Sequence, residues 1–150
     1  AFVRWEVAQA LQKLHEPNAA IPALILMLNK DRDADVRQAA ALALGQYAEM
    51  RVFNALVGAL YDSDYAVVEA CVTSLRTLTG QDFGSAANRW MDFAKDRQAT
   101  VFAQRQPYTW QPFVRSPNWL ERAQFWKERE KPGPRTPTGM PTEAGESPQS

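Results

Sequence analysis

The chain has 150 residues, and its 45% apolar content is enough for one folded domain with a core. Seventeen basic and seventeen acidic residues cancel, so the net positive charge that marks most nucleic-acid-binding surfaces is absent and no nucleic-acid partner is expected. One cysteine permits no internal disulfide and cannot by itself build a zinc site, and no apolar run approaches the ~20 residues needed to cross a bilayer.

Phe2 to Leu14 has helical spacing and matches a later segment at a shift of 33: Val3 falls on Val36, Arg4 on Arg37, Ala8 on Ala41 and Leu11 on Leu44. It reads as the second half of a helical hairpin, so an upstream segment carrying the first half, and any targeting signal, is expected. Compartment is not readable from these residues. Pro17 ends this helix. Asn18 to Asn29 follows, with Pro22 in its opening turn, where a missing N–H costs least.

Ile21 to Tyr47 is the unit on which the rest is built. Ile21, Leu24, Ile25 and Leu28 share one helical face, the polar joint NKDRDAD follows, and Val36, Ala40, Leu44 and Tyr47 share a second. Asp33 suits the N-cap of the second helix, where its carboxylate meets free N–H groups and the positive end of the dipole. Ala39, Ala40, Ala41 and Ala43 keep that helix thin enough for close stacking. A hairpin of this length cannot bury its apolar face alone, so copies are required on either side.

The next copy runs from Arg51 to Thr79. Leu56 and Leu60 lie 32 after Leu24 and Leu28, whereas Asp64, Val67, Leu75 and Leu78 lie 31 after Asp33, Val36, Leu44 and Tyr47, so the joint is one residue shorter. Val68 stands where Arg4 and Arg37 stand, which ends any basic ladder there. VRQAAALALGQY after a D-x-D-x-x-V joint resembles a HEAT repeat of the short bacterial kind, also found in phycobilin lyases. Two full units and one half unit, over about Phe2 to Thr79, carry the likeness. It implies an all-α superhelix, a solenoid used mostly as an extended protein-binding scaffold without catalysis or cofactor. If the likeness holds, Val3, Val36 and Val67 should occupy equivalent niches.

After Thr79, TGQDFG brackets a turn with Gly80 and Gly84, and Ser85 suits the cap of a helix, AANRWMDFAKDR, with Trp90 and Phe93 near one face. T-G-x-x-F-G followed by W-x-x-F/W resembles the closing segment of many bacterial HEAT arrays, which implies a terminal cap. From Gln98 to Pro117, Pro107, Pro112 and Pro117 alternate with Tyr108, Trp110 and Phe113, predicting an extended strap laid against the array. WLERAQFWKERE predicts a last helix striped with Trp119, Leu120, Ala123 and Trp126. The expected organisation is an array over 1–97 (half repeat 2–15, repeats 18–48 and 50–79, capping helix 85–97), strap plus final helix over 98–130, and a disordered tail rich in Pro and Gly over 131–150.

The reactive residue types have structural explanations. His15-Glu16 invites comparison with the iron-binding His-Glu pairs of HEAT-repeat deoxyhypusine hydroxylases. Those pairs start helices and recur, whereas this one ends a helix and occurs once, so no metal is expected. Cys71 aligns with Ala40 on the inward face and reads as a core thiol. Asp31, Asp33, Asp35, Asp62 and Asp64 read as caps and turns, since the joints are too short to wrap calcium. Arg4 and Arg37 recur at one repeat position, where they either pair with joint aspartates such as Asp33 or grip an acidic partner. With Trp110 and Trp119, they form the expected set of partner-binding residues. No catalytic and no cofactor-binding residue is expected. A scaffold or adaptor for an unidentified protein is the first functional expectation. A lyase-like or regulatory accessory domain holding a cofactor-bearing protein is the second, and a HEAT-like DNA glycosylase, disfavoured by the balanced charge, is the third.

Overall fold

The computed structural model describes residues 2–110 and 133–141. Its helices follow in the order α1 (Phe2–Lys13), α2 (Pro17–Lys30), α3 (Ala34–Leu44), α4 (Met50–Gly58), α5 (Tyr65–Thr79) and α6 (Ala87–Arg97). Single 3-10 turns extend α4 (Ala59–Tyr61) and α6 (Gln98–Thr100). α1, α3 and α5 stack side by side in one layer, and α2, α4 and α6 in the other. The chain is thus an all-helical α-α solenoid.

Each layer contributes the apolar face that its periodicity predicts. Ile21, Leu24 and Leu28 of α2 and Val52, Phe53 and Leu56 of α4 are buried with Val36 and Leu44 of α3 and Val67, Leu75 and Leu78 of α5. Fully burying each such side chain contributes about 1.5–3 kcal/mol relative to leaving it in water. Small residues let the layer of α1, α3 and α5, here the second layer, close up. Ser74 of α5 donates its hydroxyl to Ala41 O at 2.8 Å, and Gln12 of α1 reaches Ala39 O at 3.2 Å. A Cβ on Gly45 would sit 2.8 Å from Ser74 Oγ, so glycine is needed there for close approach of two helices rather than for backbone freedom.

Val36 and Val67 are fully buried in matching places, while Val3 is 71% exposed. Register is shared by all three, but among the described residues nothing lies over the Val3 side of α1. Other expectations need adjustment. Helix α2 starts at Pro17, which makes Pro22 an interior residue. The ring is tolerated because Pro22 and Asn18 are exposed, so water can serve the carbonyl the ring leaves unbonded. Helix α3 ends at Leu44, and Tyr47 is buried from a turn beyond it. Ser85 caps nothing, since α6 begins at Ala87 without a side-chain cap. Trp90 holds the turn instead, its indole Nε1–H donating to Gly84 O at 2.8 Å.

The strap runs back from α6 across the carboxyl ends of the second-layer helices. Gln106 N–H donates to Thr77 O at 2.6 Å, and Tyr108 OH donates to Leu42 O at 2.8 Å. Within the tail expected over 131–150, residues 133–141 lie against the carboxyl-terminal edge of the array. Pro137 is buried, Arg135 and Trp110 exchange backbone hydrogen bonds, and Thr138 N–H donates to Lys13 O at 2.8 Å. The reason is hydrogen-bond satisfaction. Helix carboxyl ends leave carbonyls without partners, and strap and tail supply donors to α5, α3 and α1 in turn. The final-helix expectation falls on residues 111–132, outside the described residues.

Gly80 is the hinge of this return. It closes α5 at φ 68°, and a Cβ there would overlap the Gln104 carbonyl of the strap. Gly80→Ala is therefore expected to destabilise the fold by about 2 kcal/mol, through left-handed strain and strap displacement together. Hydrogen exchange should quicken at the Gln106 amide. An unchanged melting curve with undiminished Gln106 protection would show that the strap does not depend on this contact.

Candidate functional site

The repeated joints build a ladder along the amino-terminal edge of the second layer. Asp33 and Asp64 cap α3 and α5, accepting from Asp35 N–H and Ala66 N–H, each at 2.9 Å. Two residues earlier, Asp31 Oδ1 accepts Asp33 N–H and Asp62 Oδ1 accepts Asp64 N–H. Each of these earlier aspartates also takes a two-pronged guanidinium from the preceding second-layer helix. Arg4 Nε and Nη2 reach Asp31 at 2.6 and 3.2 Å, and Arg37 Nε and Nη2 reach Asp62 at 2.8 and 2.9 Å. One carboxylate thereby joins a turn to a neighbouring repeat. Parallel N–H donors in a fixed fork suit arginine to this position better than lysine.

Arginine therefore pairs with Asp31 and Asp62, not with the capping Asp33. The signal was present in the sequence, since Asp31 and Asp62 stand 31 apart just as Asp33 and Asp64 do. Choosing between the two needed the rotation from one repeat to the next. Electrostatics follow the geometry. The Arg37 hydrogen bond holds the Asp62 carboxyl below its ordinary range against the opposing effect of burial, and the Arg4 hydrogen bond does the same for Asp31. Arg37 and Asp62 side chains keep only 14% and 12% of their exposure, whereas Arg4 keeps 52%. Arg4 alone of the two arginines presents a substantial surface.

Trp110 is half-buried at the opposite edge, with Lys13 Nζ 5.1 Å from its ring centroid in a cation–π arrangement. It lies far from the ladder, at the other end of α1 from Arg4, so the four expected contact residues do not form one cluster. Trp119 is outside the described residues. Beside Trp110, His15 stacks on Tyr47 at 4.9 Å between ring centroids. Gln46 donates to Leu11 O at 2.8 Å, which turns its Oε1 toward His15 Nδ1 at 3.1 Å. That amide orientation puts the proton on Nδ1. Glu16 offers its backbone N–H to Tyr47 Oη. The His-Glu pair is thus a bracket between repeats, a role signalled only by distant residues.

Cys71 is fully buried, and burial first, then Asp62, pushes its thiol up to about 12, so thiolate chemistry is suppressed. Burial likewise raises the Tyr108 phenol, whose proton stays on the oxygen that bonds Leu42. Among the described residues, no group of three or more His, Cys, Asp or Glu is placed to hold a metal ion, and no helix is long and apolar enough to cross a membrane.

At the far end, Phe53 and Phe83 meet the fully buried Trp90 edge-on, and Phe93 packs on Phe83. Arg76 ties down the turn through Asp82 at 2.9 Å. Against known proteins, the family profile described as HEAT repeats matches residues 1–76. No curated protein and no solved structure matches the chain.

Proposed function

The chain belongs to the HEAT-repeat family, whose members commonly serve as protein-interaction scaffolds, and from that premise we propose that it is a non-enzymatic scaffold or adaptor for a protein partner. The observation that carries the reading is the ladder. Arg4–Asp31 and Arg37–Asp62 lock successive repeats at one spacing, so the exposed sides of α1, α3 and α5 make one rigid, pre-formed surface. A rigid surface binds without first losing its own conformational freedom, which favours extended partners over small substrates. Glu69, Thr73 and Arg76 of α5 and Asp35 of α3 are exposed along it.

Within this reading, Arg4 and Trp110 are the proposed partner contacts, one at each end of α1. Arg4 offers a half-exposed guanidinium to an acidic group, and Trp110 offers ring surface at low entropic cost. Arg37 supports the surface from within by holding the loop before α5.

Affinity capture with the intact chain tests both levels. One protein should be recovered stably, and Arg4→Ala or Trp110→Ala should weaken its capture at least tenfold, with melting temperature checked in parallel. Undiminished capture by both variants would remove these residues as contacts. Salt-sensitive recovery of nucleic acid without any protein would remove the scaffold reading itself.

A further inference from the structure

In the layer of α2, α4 and α6, the shift of 32 that sets Leu56 on Leu24 also sets Gly58 on Leu26. Leu26 is 63% exposed and Gly58 is exposed too, so the position faces outward in both helices. Nothing in the backbone asks for glycine there. Gly58 has φ −60° and ψ −37°, ordinary helical values, and a Cβ on it would meet nothing within 4 Å. Glycine at a helical position costs about 0.5–1 kcal/mol relative to alanine. What it leaves in return is a gap on the surface, where the preceding repeat carries a leucine.

The gap opens into a groove of about 400 Å³ between α4 and α6. Val57 and Ala87 are buried beneath it, while Tyr61 and Met91 stand exposed at its rim. Asn54 and Asn88 line it from the two helices, and neither side-chain amide hydrogen-bonds another of the described residues. Among the described residues, no charged side chain lines it.

We propose that this groove takes a short, uncharged, extended segment of a protein partner, which seats one branched apolar side chain against Gly58. Charge complementarity selects a neutral segment, because a charged side chain would lose water in the groove without gaining a counter-charge. An extended chain has main-chain N–H and C=O groups free to pair, and each carboxamide offers them both donors and an acceptor. A helix spends those groups on itself and has no use for the two amides. From Asn54 to Tyr61 the helix rises about 11 Å, the length of about three extended residues. The middle one falls at Gly58, beside space for a side chain the size of Leu26. Neither Arg4 nor Trp110 lines the groove, so the contacts assigned to them and this one stand or fall separately.

Titration of the full chain with acetyl-Thr-Leu-Thr-methylamide, followed by NMR chemical shifts, tests it. The Gly58 amide and the Asn54 and Asn88 side-chain signals should move together and saturate, and acetyl-Thr-Glu-Thr-methylamide should bind at least tenfold more weakly. Gly58→Leu fills the gap and should weaken the leucine peptide at least tenfold, the worth of one buried leucine side chain. Its melting temperature should be no lower than the parent's, since a helical glycine is replaced where space is open. Asn54→Ala combined with Asn88→Ala should weaken binding at least threefold through the lost hydrogen bonds. No saturable shift at Gly58, equal binding of the glutamate peptide, or undiminished binding by Gly58→Leu or by the asparagine pair would each overturn the proposal. A lowered melting temperature in Gly58→Leu would do the same, because the space beside Gly58 would then not be free.

Discussion

Trp90→Ala should lower the stability of the fold by about 3–5 kcal/mol, the range for deleting a large aromatic side chain from a packed interior. Trp90 is fully buried, meets Phe53 edge-on at 6.5 Å and Phe83 at 4.8 Å, and bonds the turn through Gly84. The residue therefore serves the core of the last repeat, the helix that covers it and the turn between them. At about 4 °C per kcal/mol, where the ranges for smaller and larger domains meet, such a loss shifts the thermal midpoint by about 12–20 °C. Trp90→Phe keeps most of the apolar bulk but gives up the indole hydrogen bond, so about 1–2 kcal/mol is expected from it, larger than the mean for one hydrogen bond because Gly84 O loses a buried donor. Equilibrium unfolding in urea measures both. A Trp90→Ala variant within about 1 kcal/mol of the parent would mean that α6 adds little to the array and that the end of the stack is closed by other contacts.

Arg37→Ala is the second large effect. Removing one member of this part-buried pair takes two charge-assisted hydrogen bonds from Asp62, at a cost of roughly 2 kcal/mol. The loss should also appear in the pH dependence. Asp62 is held below its ordinary value near 3.8 first by the Arg37 hydrogen bond. A depressed folded-state value means that the pair's stabilisation is complete above the unfolded-state value and disappears as pH falls through the folded one. The parent should therefore lose stability steadily on acidification below about pH 5. In Asp62→Asn, which still offers an oxygen to Asp64 N–H, that acid-dependent share should shrink. The comparison is a stability profile of parent and variant from neutral pH downward. Parallel profiles would show that Asp62 does not carry the acid sensitivity and that the ladder is a weak surface pair.

These two sites divide the labour of the solenoid. Trp90 closes one end, which keeps the last hairpin from exposing its interior, while the arginine ladder sets the spacing between repeats along the amino-terminal edge. The strap and residues 133–141 tie the carboxyl-terminal edge, through Thr77, Leu42 and Lys13 carbonyls. With both edges fastened, rotation between repeats is resisted from two sides. A surface held in this way can serve as a template for a partner without reshaping itself, which is the property a scaffold requires.

The sequence by itself determined the repeating unit and, for α3 and α5, the inward faces and the aspartate caps, although not the cap of α6. Val36, Leu44, Val67 and Leu75 sit where periodicity puts them, and Asp33 and Asp64 cap the helices they precede. Such features are local, because a helix's apolar side and its first free N–H groups are fixed within a few residues. Tertiary structure alone decided that Arg37 bonds Asp62 across 25 residues and that Tyr108 bonds Leu42 across 66. It also decided that His15 is a bracket and that residues 133–141 lie beside Lys13 and Trp110. Those outcomes depend on the small rotation between neighbouring hairpins and on which helix ends were left with unpaired carbonyls. No window of sequence records either quantity, because both arise only when the repeats have come together.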